Sequence, residues 1–277
     1  MKTKLKIGII AIASIAIISV GVKLNNVPKS KTIELTTSEA SPQNSASNKA
    51  DNQGVTRYDV DGTKFKGYVL EIKDPKKVKV GYAKDFKTGE TTSQIANRNN
   101  AIAAINAGAF EAFQEQKSPL GIIMSEGKVV SKDDAVKTLI AAINNDGKLI
   151  TGQYSVEELQ NLGVKEAVTA IGTELVVNGI AQIPEEKKNS WGLAPRTAIG
   201  QKQDGTIIFL VIDGRQETTV GATIKDVQDI MLEYNAVNAV NLDGGSSSTM
   251  YYNGDVINKP SNALGERLIP SIIYAEK

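Results

Sequence analysis

The chain has 277 residues, 41% of them hydrophobic and 23% charged, enough to bury a core and form a folded domain. Its 32 basic and 31 acidic side chains nearly cancel, which argues against a nucleic-acid binder with a broad basic footprint. It has no Cys and no His, which excludes thiol nucleophiles, disulfides, the usual zinc ligand sets and every catalytic triad built on imidazole, and leaves carboxylate, guanidinium, amine, hydroxyl and amide chemistry.

Lys2, Lys4 and Lys6 precede an uncharged apolar run over 7–22 that Lys23 closes, the layout of a signal peptide or membrane anchor over 1–26. As a helix the run would cover about 24 Å against a bilayer core of about 30 Å, with flanking lysines able to snorkel. Ser19 and Gly21 make a poor cleavage site, so cleaved signal and retained anchor both stand. Either one places the remainder outside the cytoplasm, secreted or held at the membrane. Residues 27–54 are rich in Ser, Thr, Asn, Lys and Ala, contain Pro28 and Pro42, and have no aromatic side chain; they read as a flexible linker. Residues 55–277 read as one domain.

Within that domain, 65–72 and 78–82 are predicted strands around the turn Lys73-Asp74-Pro75. A short helix over 92–99 precedes an apolar strand, 101–105, that runs into Asn106. Ser155-Val-Glu-Glu158 is a capping-box pattern opening a helix with Val156, Leu159 and Leu162 on one face and Gly163 as its terminator. The apolar strand 206–212 ends in Asp213-Gly214-Arg215. Thr223 then opens a helix with Ile224, Val227, Ile230, Met231 and Tyr234 at helical spacing, and the strand 236–242 ends in Asp243-Gly244-Gly245. Strand, helix and strand in this order predict a β-α-β unit within an α/β (mixed α+β) domain, a mixed sheet flanked by helices. Both aspartates would then sit at carboxyl ends of strands, where open sheets place ligands.

Three strand ends thus carry a polar residue beside glycine: Asn106 before Ala107-Gly108, Asp213 before Gly214 and Asp243 before Gly244. Each alone reads as a turn. Together they read as a site, because glycine lets main-chain amides approach a ligand, and Ser246, Ser247, Ser248 and Thr249 add hydroxyls. Arg196 and Arg215 are the cations expected beside the acids, either gripping phosphate oxygens in pairs or serving as buried partners of the aspartates. Glu111, following Phe110 in a loop, is a weaker acidic candidate.

The stretches 105–110, 119–127, 195–200, 211–215, 221–223 and 241–249, beginning with Ile105-Asn-Ala-Gly-Ala-Phe110, follow one another in an order that resembles the phosphodiester glycosidase family over about residues 55–277. Ala107 and Ala109 depart from it, standing where the family commonly has a second aromatic or glycine. The resemblance implies a hydrolase that splits a sugar's anomeric carbon from phosphate in a sugar-1-phosphodiester, such as a GlcNAc-1-phosphate diester of cell-envelope or exopolysaccharide material. It implies Asp243 or Asp213 as base or nucleophile, and Glu111 stays the weaker catalytic candidate. Arg196 and Arg215 would hold the phosphodiester. Asn106, Gly108, Thr197, Asn241, Gly244, Gly245, Ser246, Ser247 and Ser248 would orient sugar and phosphate.

Glycosidases normally pair two carboxyls, but a phosphate leaving group is already a stable anion, so an arginine clamp lowers the need for a strong general acid. One aspartate could instead be a ligand to Ca²⁺ or Mg²⁺. The expected partner is a sugar-phosphate glycan or a small glycosyl phosphodiester, not nucleic acid, with the membrane engaged only through the N-terminal segment. The competing reading is a tethered, non-catalytic glycan- or cell-wall-binding module. Against it stands an aromatic content of 5% with a single Trp, Trp191, where sugar recognition favours aromatic platforms. A serine hydrolase built on Ser246 or Ser247 lacks a Gly-x-Ser-x-Gly elbow, and the glycine-rich turn lacks the Gly-Lys-Ser/Thr ending of a nucleotide loop.

Overall fold

Six consecutive apolar residues form the strand Ile207–Ile212, and each is fully buried because the strand is covered on both faces. Ile207, Phe209 and Val211 enter one apolar layer, while Ile208, Leu210 and Ile212 enter another. Each such side chain contributes about 1.5–3 kcal/mol by leaving water, which makes this strand a principal anchor of the fold. The computed structural model describes residues 49–50, 53–113, 116–134 and 137–277. The signal or anchor expected over 1–26 and most of the linker expected over 27–54 lie outside the described residues. Among the described residues no helix is long and apolar enough to cross a membrane.

The strands build three main sheets. The eight-stranded sheet runs Lys49–Ala50, Val55–Asp61, Lys66–Ile72, Ile207–Ile212, Arg196–Lys202, Ala236–Asn241, Glu174–Val177 and Ile180–Ala181. A five-stranded sheet runs Asp255–Val256, Met250–Tyr252, Ala101–Asn106, Ser271–Glu276 and Val78–Tyr82, and a second one runs Leu149–Tyr154, Thr138–Asn144, Val164–Thr169, Ile123–Ser125 and Lys128–Ser131. Their inner faces meet in one core that joins Leu70, Phe209 and Val240 to Ile105 and Ile273 and to Ile143 and Val168. The three α-helices each cover an outer face: Ile224–Glu233 on the first sheet, Thr92–Arg98 on the second and Val156–Asn161 on the third.

All three helices open on the reciprocal cap that the sequence signalled for one of them. Thr91, Ser155 and Thr223 each accept from the main-chain N–H three residues on, while Gln94, Glu158 and Asp226 reach back to the cap. Leu162 falls on the C-cap of its helix and is exposed, so the buried face there rests on Leu159.

The expected α/β mixed sheet requires correction, because the domain is mostly β and its strand ladders are antiparallel. The strand, helix and strand at 207–212, 224–233 and 236–241 are all present. However, Arg196–Lys202 lies between the two strands and pairs antiparallel with both, Arg196 opposite Ile212 and Ala198 opposite Asn241. The flanking strands therefore run in the same direction without touching, and the polypeptide reaches one sheet edge three times. Much of the remaining β structure comes from short strands between 116 and 181, whose many polar residues hide a period-two pattern. Phe110–Phe113, expected as loop, pairs with Gln116–Pro119 in a small hairpin.

Candidate active site

The edge reached three times holds the candidate site. Arg196 begins its strand there, while Asp213 follows the end of one neighbour and Asp243 lies just past the end of the other. Close main-chain packing brings the three turns together. A Cβ on Gly214 would lie 2.8 Å from the Val220 oxygen and 2.9 Å from the Pro195 nitrogen, so only glycine fits. Gly245, at φ +61°, donates its N–H to the Pro195 oxygen at 2.9 Å and folds the chain after Asp243 into a short 3-10 turn, Gly245–Ser247.

Asn106 arrives from the second sheet and fastens this edge. It is fully buried; its Nδ2 donates to the main-chain oxygen of Asp243 at 2.5 Å, and its Oδ1 accepts from Thr197 Oγ1 at 2.8 Å and from Thr249 N at 3.0 Å. The Asp243 N–H in turn donates to the Ala107 oxygen at 3.0 Å. Asn106 and Thr197 therefore hold the acidic turn in place from beneath.

Above them opens a cleft of about 330 Å³, lined among others by Asp243, Arg196, Arg215, Arg267, Ser246 and Trp191. Burial pushes the Asp243 carboxyl up to about 6, against the opposing effects of the Ser247 hydroxyl, the Arg267 charge and the Gly244 N–H. The residue as a whole is half-buried, but its Oδ2 is shut away from solvent and accepts no hydrogen bond from the protein. Arg196 is buried; its Nε donates to the Ala222 oxygen at 3.1 Å and its Nη2 to the oxygens of Trp191 and Gly192 at 3.2 and 2.8 Å. Its pKa is lowered by burial and by Arg215, partly offset by Asp226, yet a guanidinium stays charged. Arg267 donates to Ser247 Oγ at 3.2 Å and lies 4.7 Å from the Phe110 ring centroid. Among the described residues none of the three arginines has a carboxylate within ion-pair distance, so the cleft presents unneutralised positive charge around one acid.

The structure divides the sequence-predicted residues. Arg196, Arg215, Asn241, Asp243, Gly244, Gly245 and Ser246 line the cleft. Asn106, Thr197, Ser247 and Ser248 are buried behind it, and Gly108 is engaged through its N–H with Ser271 Oγ at 3.0 Å. Asp213 lines no part of the cleft. Its carboxylate accepts from Asn258 Nδ2 at 2.9 Å and from the Lys259 N–H at 3.1 Å, and it bonds the Tyr68 hydroxyl; burial raises its pKa against these bonds. Glu111 is exposed on the hairpin and also lies outside the cleft. Two residues were missed as contributors: Arg267, in a stretch with no motif, and Trp191, whose uniqueness was its only signal.

Among the described residues no group of three or more acids stands close enough to hold a metal ion. One carboxylate facing three guanidiniums is also a poor donor set for Ca²⁺ or Mg²⁺, which seek several anionic oxygens. A larger cavity of about 630 Å³ opens at the opposite edge of the eight-stranded sheet, beside Gln201 and Asn238. There the Gln201 amide is fully engaged with Leu149, Gly147 and Gly205, and Lys202 is paired with Glu71. The other charges lining that cavity are Asp146, Lys148 and Asp204, with no arginine among them.

A family model described as phosphodiester glycosidase matches residues 99–276. The N-acetylglucosamine-1-phosphodiester alpha-N-acetylglucosaminidase of Bos taurus is 29% identical over 191 residues, 64% of this chain and 36% of the relative. Its Homo sapiens counterpart is 27% identical over 187 residues, 62% of this chain and 36% of the relative. The match thus spans little more than a third of these relatives' own length. The catalytic domain of the zebrafish enzyme of that name shares the fold, with a TM-score of 0.70 at 24% identity, covering 84% of this chain and 87% of the other.

Proposed function

The chain belongs to the phosphodiester glycosidase family, and from that premise we propose that it hydrolyses a sugar-1-phosphodiester between the anomeric carbon and the phosphate oxygen. The observation that carries the reading is a single cleft in which the Asp243 carboxyl is accompanied by Arg196, Arg215 and Arg267. In this mechanism water attacks the anomeric carbon, Asp243 takes a proton from it, the carbon–oxygen bond breaks, and the phosphate leaves as a monoester. The arginines meet the charge that grows on the departing phosphate. A carboxyl with a pKa of about 6 is mostly ionised at neutral pH, as a base must be, and lies near enough to it for efficient proton transfer. Asp213 and Glu111 have no part in the bond-breaking step.

The substrate in this reading is a GlcNAc-1-phosphodiester or a close relative within cell-envelope or exopolysaccharide material. Support comes from the substrate in the relatives' names and from the apolar run over 7–22, which favours an extracytoplasmic site of action. The test is release of free GlcNAc from a GlcNAc-1-phosphodiester by the purified chain, with and without chelator. Release that is lost in Asp243→Asn and indifferent to chelator supports the proposal; no release from any of several sugar-1-phosphodiesters overturns it. The exposed Trp191 at the cleft favours one second reading, a non-catalytic glycan-binding module, which would bind these ligands without turnover.

A further inference from the structure

Trp191 is the chain's only tryptophan, is 40% exposed, and lines the same cleft as Asp243. The residues on either side of it, 184–193, are exposed, yet the indole itself is seated. It lies over Gly172, where a Cβ would come within 1.4 Å of the indole Cη2, so the absence of a side chain at 172 forms the seat. The main-chain oxygens of Trp191 and Gly192 are held by Arg196 Nη2, and the guanidinium carbon lies 5.8 Å from the ring centroid. One cation of the phosphate-gripping set therefore also fixes the aromatic ring.

From this geometry we infer that Trp191 is a recognition platform for the pyranose ring attached to the scissile phosphate, an inference that rests on the phosphodiester reading of the cleft. A flat apolar face beside an anion grip suits a ligand that has an apolar C–H face next to a phosphate. The sugar bonded directly to the phosphate is the ring whose position the Arg196 contact constrains most tightly. Because Arg196 donates from Nε and Nη2 to the segments at 222 and 191–192, phosphate binding and platform position form one coupled unit.

The tryptophan is its own reporter. In the full chain carrying Asp243→Asn, which removes the proposed base, intrinsic fluorescence should change saturably on titration with the methyl diester of GlcNAc-1-phosphate. It should not change with dimethyl phosphate at the same concentrations. In the otherwise wild-type chain, Trp191→Ala should raise KM for the methyl diester about tenfold while kcat stays within about twofold, the pattern of lost ground-state binding. Trp191→Phe should restore most of the affinity. Gly172→Ala, which unseats the indole without removing it, should reproduce the rise in KM. The platform is overturned if fluorescence is silent where turnover saturates, or if Trp191→Ala leaves KM unchanged. Saturable fluorescence without turnover in the wild-type chain would keep the platform and overturn hydrolysis, so the two failures are separable.

Discussion

The amide of Asn106 donates to the main-chain oxygen of Asp243 at 2.5 Å, joining a strand end of one sheet to the acidic turn that follows a strand of another. The same side chain accepts from Thr197 Oγ1 and Thr249 N, so one buried amide serves three segments. Asn106→Ala would leave the hydroxyl of Thr197 and the N–H of Thr249, both fully buried residues, and the carbonyl of half-buried Asp243 without these partners. At about 1–3 kcal/mol for each orphaned group, with some relaxation, the expected loss is roughly 3 kcal/mol or more. Urea unfolding should show it as a lower midpoint at unchanged slope, together with reduced kcat in the molecules that remain folded.

The raised pKa of Asp243 has two consequences of opposite sign. Its folded value of about 6 exceeds the ordinary 3.8, so between those values the folded state holds a proton that the unfolded state has released. Stability contributed by this group is therefore present below about pH 4 and is lost as pH rises through 6, by up to about 3 kcal/mol at neutral pH. Asp243→Asn should remove that loss and raise the melting temperature at pH 7, with little effect at pH 4. Activity should run the other way, kcat/KM of the wild type climbing with pH and levelling above about 6 as the base ionises. Thermal unfolding at both pH values and a pH–rate profile check the pair.

Elements that declared themselves in the sequence did so through local physics. Ile207–Ile212 was legible as an unbroken apolar run, and Ile224–Glu233 through a cap and a helical spacing whose residues are all buried. Lys128–Ser131 and Glu174–Val177 were not legible, because edge and connecting strands of four residues with charged members carry too few turns of the pattern. The antiparallel strand inserted between two parallel-running ones could not be read either, since pairing order is a long-range property. At the site, the glycine-marked strand ends are the turns that carry Asp243 and Arg215, both of which line the cleft. Arg267 has no such mark, and reaches the site through a contact with Ser247, 20 residues away in the chain.

Arg267 should tune the acid it accompanies. Its charge lowers the Asp243 pKa, so Arg267→Ala should move the acidic limb of the pH–rate profile to higher pH, whereas Arg267→Lys should move it less. Arg215 provides the contrast. Its side chain makes no hydrogen bond or ion pair within the described residues, although Gly245 packs close to its guanidinium. Arg215→Ala should therefore change stability by no more than about 0.5 kcal/mol and act on affinity for the phosphodiester. A pH–rate series on the three variants, with KM and kcat resolved, separates tuning from gripping.

Asp213 and Asp243 look alike in the sequence, each an apolar strand followed by Asp-Gly, and what distinguishes them is the chain that folds over one of them. Asn258 and the Lys259 N–H close on the Asp213 carboxylate, while the Asp243 side chain lines an open cleft with one oxygen unpartnered. Asp213→Asn places an NH₂ where the surrounding groups already donate, so it should cost about 1–3 kcal/mol of stability. Activity per folded molecule should stay within about threefold of wild type, because no reacting group has been removed. Asp243→Asn should give the reverse, a more stable protein at pH 7 without turnover. Unfolding and turnover measured on the same two preparations test the division of roles. A stable, inactive Asp213→Asn beside an active Asp243→Asn would exchange the two assignments.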